Sequence, residues 1–295
     1  MSTEVSKWRS GKSHGDENFP VASRLIRARH RPAILAFYNF VRTADDLADH
    51  AELPTAKKLS LLDELEAGLL GYGPGPREAL ALRDILAAHR VTPRHAQDLL
   101  QAFRQDAVKH RYKDWPELVH YCRYSAMPVG RFVLDLHGED ASCWAASDAL
   151  CATLQIINHL QDCGSDYRNL DRVYLPADAL AAAGAQIPEL RASHASPALL
   201  DCLRAIAART QALFSEAEPL AAQVKDTRLA LEIAAIHALA HRLICRLMTQ
   251  DPLSGGGRLR RREYVFGVMT GIASSLWRRS PMSGPTGSTS MRYGP

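Results

Sequence analysis

The sequence predicts a single all-α domain, and three observations predict it. Ala and Leu dominate a chain whose hydrophobic fraction is 46%, while Val and Ile are modest. That balance favours helix over sheet. Apolar residues recur at helical spacing through most of the 295 positions, and period-two alternation is essentially absent. The length suits one large domain or two small ones, and no internal repeat divides it.

The elements follow in order. Residues 1–17 are polar and expected to be flexible, with His14 to Asn18 placed to close over a site. Pro32 fits the first turn of a helix over about 33–50, which carries Ile34, Leu35, Phe37, Phe40 and Val41. Leu59 to Leu70 reads as a second amphipathic helix, and GYGPGP at 71–76 breaks it. Helices follow at about 77–89 and 93–108, the second opened by Thr92 and Pro93. Asp114-Trp115-Pro116-Glu117 is another cap pattern, opening a run to about 137. Pro128 and Gly130 inside that run predict a break or kink. A helix over 142–165, a loop over 167–176 and helices at about 176–184, 197–222, 226–250 and 258–277 complete the body. The tail 280–295 is Gly/Ser/Pro-rich and expected to be disordered. The domain therefore spans 18–279.

Composition narrows the function. The net charge is +4, and Arg258, Arg260, Arg261, Arg262, Arg278 and Arg279 crowd near the C-terminus. Such a run is a solvated basic face, or else it suits an anionic membrane or a phosphorylated substrate. The six cysteines form no C-x-x-C pair, so they read as small core hydrophobes in a reducing cytosol. No apolar leader stands at the N-terminus, and no run reaches the roughly 18 apolar residues of a spanning helix.

Two stretches carry acids at helical spacing. In YNFVRTADDLAD (38–49), Tyr38, Arg42, Asp45, Asp46 and Asp49 share a stripe. In QIINHLQDCGSDYRNLDRVYLP (155–176), Gln155, Asn158, Asp162 and Asp166 share another. A lone D-x-x-x-D is usually solvated. Two copies on apolar helices, each extended by a polar stripe, point to Mg²⁺ held against a diphosphate. Mg²⁺ prefers oxygen and bridges carboxylates to phosphate. Asp45, Asp46, Asp49, Asp162 and Asp166 supply the carboxylates, and Asn158 a neutral oxygen. Arg42 can clamp phosphate oxygens. Asp45 and Asp49 repel at i,i+4, a cost that a cation offsets.

With YCRYSAMPVGRFVLDLHG (121–138), these motifs resemble the squalene/phytoene synthase family over about residues 14–275. ENFPVAS (17–23) and SAMPVGR (125–131) are most similar to a bacterial hopanoid-pathway branch of it. The resemblance implies an isoprenoid-synthase-type helical bundle around a central cavity. It implies catalytic roles for Asp45, Asp49, Asp162, Asp166 and Tyr124. It implies substrate contacts from Asn18, Tyr38, Arg42, Gln155, Asn158, Arg172 and Tyr174, with Mg²⁺ as cofactor. The implied reaction ionises presqualene diphosphate, rearranges the cation and captures it with water, giving hydroxysqualene. Gln161 departs from the family, which often has Arg there. Less positive charge at that spot disfavours a second diphosphate.

Two other readings stand beside it. One is condensation of two prenyl diphosphates to presqualene diphosphate, squalene or phytoene. The other is a non-enzymatic helical scaffold, against which the two intact acidic motifs argue. No strand–GxGxxG–helix unit is present, which favours water over hydride. The expected partner is a prenyl diphosphate and not nucleic acid. A nearly insoluble C30 product implies a cytoplasmic protein in peripheral contact with the membrane's inner face, coupled to other squalene-pathway enzymes. Tyr38 and Phe37 are candidate cavity aromatics, and Tyr264 a candidate closing residue. His159 reads as a core or supporting histidine, His237 and His241 as packing. Arg123 and Arg131 are expected to pair with acids such as Asp135.

Overall fold

The computed structural model describes residues 25–279, and these fold as helices without a strand. The segments 1–17 and 280–295, and Asn18, lie outside the described residues. The helices are α1 (Arg31–Asp49), α2 (Thr55–Leu70), α3 (Arg77–His89), α4 (Arg94–Asp106), α5 (Trp115–Ser125), α6 (Met127–His137), α7 (Trp144–Leu170), α8 (Ala177–Ala183), α9 (Pro197–Ser215), α10 (Leu220–Gln223), α11 (Thr227–Leu247) and α12 (Arg261–Arg279). Most lie within a few residues of their expected places, because local chemistry sets their ends. Pro32 sits in the first turn of α1. Gly71, at φ +79°, ends α2 in the left-handed region that GYGPGP suggested. Asp114 caps α5, its carboxylate accepting from Glu117 N at 2.9 Å.

Some boundaries differ from expectation. The break in the 115–137 run falls at Ala126 (φ −135°, ψ −46°), so Pro128 lies in the first turn of α6, where its missing N–H costs nothing. Gly130 is no break. A Cβ there would overlap Ser147 Oγ and lie 2.7 Å from Cys151 Sγ, so the glycine lets α6 lie close on α7. The residues at 197–222 divide into α9 and the short α10.

α7 is the axis of the bundle and packs against α5, α6, α9 and α11. α1 packs on α2, α3 and α4, and α12 packs along α11. One continuous core runs through them. Phe37 of α1 stacks on Phe132 of α6 with ring centroids 3.9 Å apart. Fully buried leucines such as Leu65, Leu82 and Leu99 each contribute about 2 kcal/mol by leaving water. Four cysteines are buried as expected, Cys151 is half-buried, and Cys245 is exposed.

α7 runs to Leu170, past the expected loop start, because tertiary contacts hold its polar end. Arg111 and Arg191 lie over the Tyr167 ring, at 5.8 and 5.2 Å. The helix stops at Asp171, which has φ +52°. Arg111 bonds both the Asp171 carbonyl and its carboxylate, the latter at 2.7 Å. Val173 N then donates to His110 O at 2.9 Å, which pins residues 171–176 beside 110–112. That clamp positions Arg172 and Tyr174.

Candidate active site

A cavity of about 570 Å³ opens between α1, α4, α5, α6, α7 and α11. Its walls are mostly apolar, with Ile34, Val41, Phe103, Val133, Leu150, Leu154 and Ile233 among them. Asp45 and Asp49 of α1 and Asp162 and Asp166 of α7 also line it. Tyr38, Arg42, Gln155, Asn158, Arg172 and Tyr174 join them. The helical period therefore brings both acidic stripes to one space.

Each carboxylate has its own setting. Arg42 pairs with Asp45 at 2.9 Å on its own helix. Its other amine pairs with Asp46 at 2.8 Å. Asp46 is buried and lies outside the cavity lining, where it anchors Arg42. The stripe reading placed Asp46 among the metal ligands, but one position off the i,i+4 register turns a side chain by roughly 100°. Arg172, nearly fully buried, donates to Asp49 at 2.5 Å and to Ala48 O at 3.2 Å. Lys58 donates to the same carbonyl at 2.8 Å.

Crowding of these acids shows in their protonation. Burial, then the charge of Asp49, pushes Asp45 up to about 8. Burial, then Asp162 and Asp49, pushes Asp166 up to about 7. Asp49 acts on carboxyls of both helices, which places the two pairs in one field. Among the described residues no three His, Cys, Asp or Glu side chains converge as a ready-made ligand set. The donors fit a hard cation that takes one or two carboxylates and completes its shell with water and diphosphate oxygens, as Mg²⁺ does. Arg172 Nε–H is buried without an acceptor, a spare donor of the kind an anion satisfies.

Three residues were missed by the sequence reading. Asp106, the last residue of α4, is buried in the cavity wall. It accepts from Tyr121 OH at 2.7 Å and from Tyr174 OH at 3.2 Å. Burial raises it to about 6, against the pull of Arg172 and the Tyr121 bond. Its signal was present: an acid on the apolar stripe Leu99, Phe103, Asp106. Tyr121 is the aromatic that lines the cavity from α5. Tyr124, for which the resemblance implies a catalytic role, lies outside this lining and packs edge-on against His120. The third is Arg258. It pairs with Asp162 at 2.6 Å from the α11–α12 loop, while Gln161 donates to Gly257 O at 2.8 Å. A guanidinium thus stands beside Asp162 although position 161 is neutral, which removes the deficit read from Gln161.

The remaining candidates sort plainly. His159 is buried, stacked on Tyr174 at 3.6 Å, and accepts from Gln155 Nε2 at 3.2 Å. Burial, then Arg172, lowers it to about 3, so it stays neutral. Tyr38 lines the cavity, whereas Phe37 is spent on its stack with Phe132 and Tyr264 lies outside the lining. His237 packs on Phe214 at 4.1 Å. Arg131 pairs with an acid as expected, Asp148, while Asp135 pairs with His95 at 2.7 Å. Ser125 and the buried carboxylate Glu232 also line the cavity, Glu232 beside Leu229, Ile233 and Ile236 on α11.

A helical bundle with two acid-bearing walls around an apolar cavity defines a prenyl-diphosphate type of site. The squalene/phytoene synthase family model matches residues 12–264, and the chain belongs to that family. It is 57% identical over 283 residues to the hydroxysqualene synthase of Rhodopseudomonas palustris, covering 96% of this chain and 97% of that one. It is 52% identical to the hydroxysqualene synthase of Sinorhizobium fredii, covering 94% and 95%. Among solved structures, squalene synthase HpnC from Alicyclobacillus acidocaldarius superposes with a TM-score of 0.67 at 33% identity, over 76% of this chain and 85% of that one. A dehydrosqualene synthase shares the fold, with a TM-score of 0.76 at 22% identity over 87% and 90%.

Proposed function

We propose that the chain converts presqualene diphosphate and water to hydroxysqualene and diphosphate. The observation that carries this is the make-up of the cavity: mostly apolar walls around about 570 Å³, with Asp45, Asp49, Asp162 and Asp166 lining the same space. Kinship at 57% identity with a hydroxysqualene synthase supports the same product.

The diphosphate lies between the two acidic walls. Asp45, Asp49, Asp162 and Asp166, with Asn158 beside them, would hold Mg²⁺, which when bound would supply charge stabilisation for the departing diphosphate. Arg42 and Arg172 hold its oxygens with N–H donors, and the Asp46 and Asp49 pairs keep those guanidiniums in place. Tyr174, fixed by Asp106 and stacked on His159, sits beside Arg172 at this end. The C–O bond breaks with its electron pair on the diphosphate oxygen. Tyr38 and Tyr121 line the cavity, where aromatic rings stabilise a cation, and the apolar walls limit access of water to it. Ser125 and Glu232 are the polar groups on those walls suited to hold that water. Its oxygen forms the new C–O bond, and a proton leaves.

No helix among the described residues is long and apolar enough to cross a membrane. A cytoplasmic location with peripheral contact at the membrane, near the enzymes that supply the substrate and consume the product, suits a C30 alcohol.

The test is incubation with presqualene diphosphate and Mg²⁺, without NADPH, followed by mass spectrometry. The expected product is the alcohol. Absence of alcohol together with turnover of farnesyl diphosphate alone assigns the chain to condensation instead.

A further inference from the structure

α12 is built inside out. The face it turns to α11 consists of Gly267, Gly271 and Ser275, one turn apart and all buried. A Cβ at Gly271 would overlap Ala234 O, and one at Gly267 would come within 2.9 Å of Leu239 Cδ2. The helix thus lies tight on α11 through its smallest residues. Several of its large apolar residues point outward, Val265, Phe266 and Met269 being 53%, 58% and 62% exposed, while Val268 and Ile272 are half-buried. A helix that only caps a soluble domain does the reverse.

The rim of this apolar stripe is basic. Arg260, Arg261 and Arg262 form a shallow open groove with Val265, Phe266 and Met269. The Arg242 guanidinium lies 4.8 Å from the Phe266 ring. Arg261 and Arg262 stand in the first turn of α12, and both are exposed. Its one acid, Glu263, is taken up by Arg246 at 3.1 Å and by the Arg260 backbone N–H at 2.7 Å.

We propose that this face of α12 docks on an anionic lipid surface, with Phe266 and Met269 entering the acyl boundary and the arginines meeting lipid phosphates. An amphipathic helix with an apolar stripe and a basic rim lies in the plane of such a surface. A second copy of the chain is the poorer occupant. A two-fold contact repeats the same patch on both sides, so it brings two like-charged basic faces together, whereas an anionic surface complements them. The surface also adjoins the cavity. Arg258, two residues before Arg260, reaches Asp162 on the acidic wall. The inference names the surface for the membrane contact suggested above. It stands on the make-up of α12 and does not require the reaction to be the one proposed.

The test is flotation of the full chain with vesicles of phosphatidylcholine alone and of phosphatidylcholine with phosphatidylglycerol. The chain is expected to float with the anionic vesicles only, and less in high salt. Arg261→Gln and Arg262→Gln each weaken binding on the order of fivefold. Phe266→Ser with Met269→Ser weakens it on the order of tenfold. All these side chains point outward, so the variants keep the wild-type melting curve and turnover of detergent-dispersed substrate. Equal flotation with neutral vesicles, or none with anionic ones, overturns the proposal. So does a wild-type dimer that Phe266→Ser converts to a monomer, which gives the face to a second copy. Flotation seen only after removal of residues 280–295 gives it to the chain's own tail.

Discussion

The two acidic helices look alike in sequence and are built differently. On α1, each cavity-facing carboxylate is held by a largely buried guanidinium, Asp45 by Arg42 and Asp49 by Arg172. On α7, Asp162 is held by Arg258, whose side chain is 65% exposed and comes from a glycine-rich loop. The α1 wall is therefore set by the fold itself. The α7 wall is completed by a cation that solvent, metal or diphosphate can displace at little cost. One motif on a rigid support and one with an exchangeable partner suit a site that must both order a diphosphate and release it.

The largest effect is expected from losing a cavity carboxylate on either wall. Asp45→Asn on α1 or Asp166→Asn on α7 removes a charge from the proposed metal site and should lower turnover by about 10²–10³-fold, the range for losing one preorganised electrostatic group. If Asp166→Asn is harmless while Asp45→Asn is not, the two-wall account breaks.

Stability then separates the arginines. Arg172→Ala leaves Asp49 without its buried partner, while Lys58 still serves the Ala48 carbonyl, and should cost about 3 kcal/mol in urea unfolding. Arg258→Ala removes an exposed partner and should cost less than about 1 kcal/mol. Equal costs would erase the distinction drawn between the walls.

Protonation sharpens it further. Asp45 and Asp166 stand at about 8 and about 7, above the usual 3.8 of an aspartic acid. Raised values mean that these groups stabilise the metal-free protein below pH about 4, and that this contribution is lost as pH rises through about 7 to 8. A bound cation favours the charged forms and offsets that loss. Mg²⁺ with diphosphate should therefore raise the melting temperature more at pH 8 than at pH 6. Calorimetric titration at pH 7 in two buffers should show release of about one proton. No buffer dependence would contradict the crowded-carboxylate picture.

The smallest contrast lies on α5. Tyr121→Phe deletes the bond to buried Asp106 and should cost about 1–2 kcal/mol with a several-fold loss of turnover. Tyr124→Phe, away from the cavity, should change stability by no more than about 0.5 kcal/mol. Kinetics of the pair decide which aromatic serves the site.

The helices were legible because their signals are local. Asp114, Pro32 and Gly71 mark ends within a few residues of the chain they terminate. The acidic stripes were legible for the same reason, since i,i+4 spacing is written in the sequence. Arg258 beside Asp162 and Arg172 beside Asp49 are another matter. Those partners lie 96 and 123 residues apart, and no spacing rule joins them. The resemblance supplied Arg172 and not Arg258. Asp46 is the opposite case: it stands one position from cavity-lining Asp45, and the helix turns it into the core, where it pairs with Arg42. The full length of α7 was hidden because SDYRNL is polar, and only Arg111, Arg191 and the Asp171 turn keep it helical.

The central claim is that diphosphate leaves carbon and that water, not hydride, meets the cation. Running the reaction in ¹⁸O-water and weighing the product tests it most directly. The account predicts an alcohol carrying one heavy oxygen. An unlabelled alcohol would mean cleavage at phosphorus, and a hydrocarbon product would mean that water is not the captor; either result contradicts it.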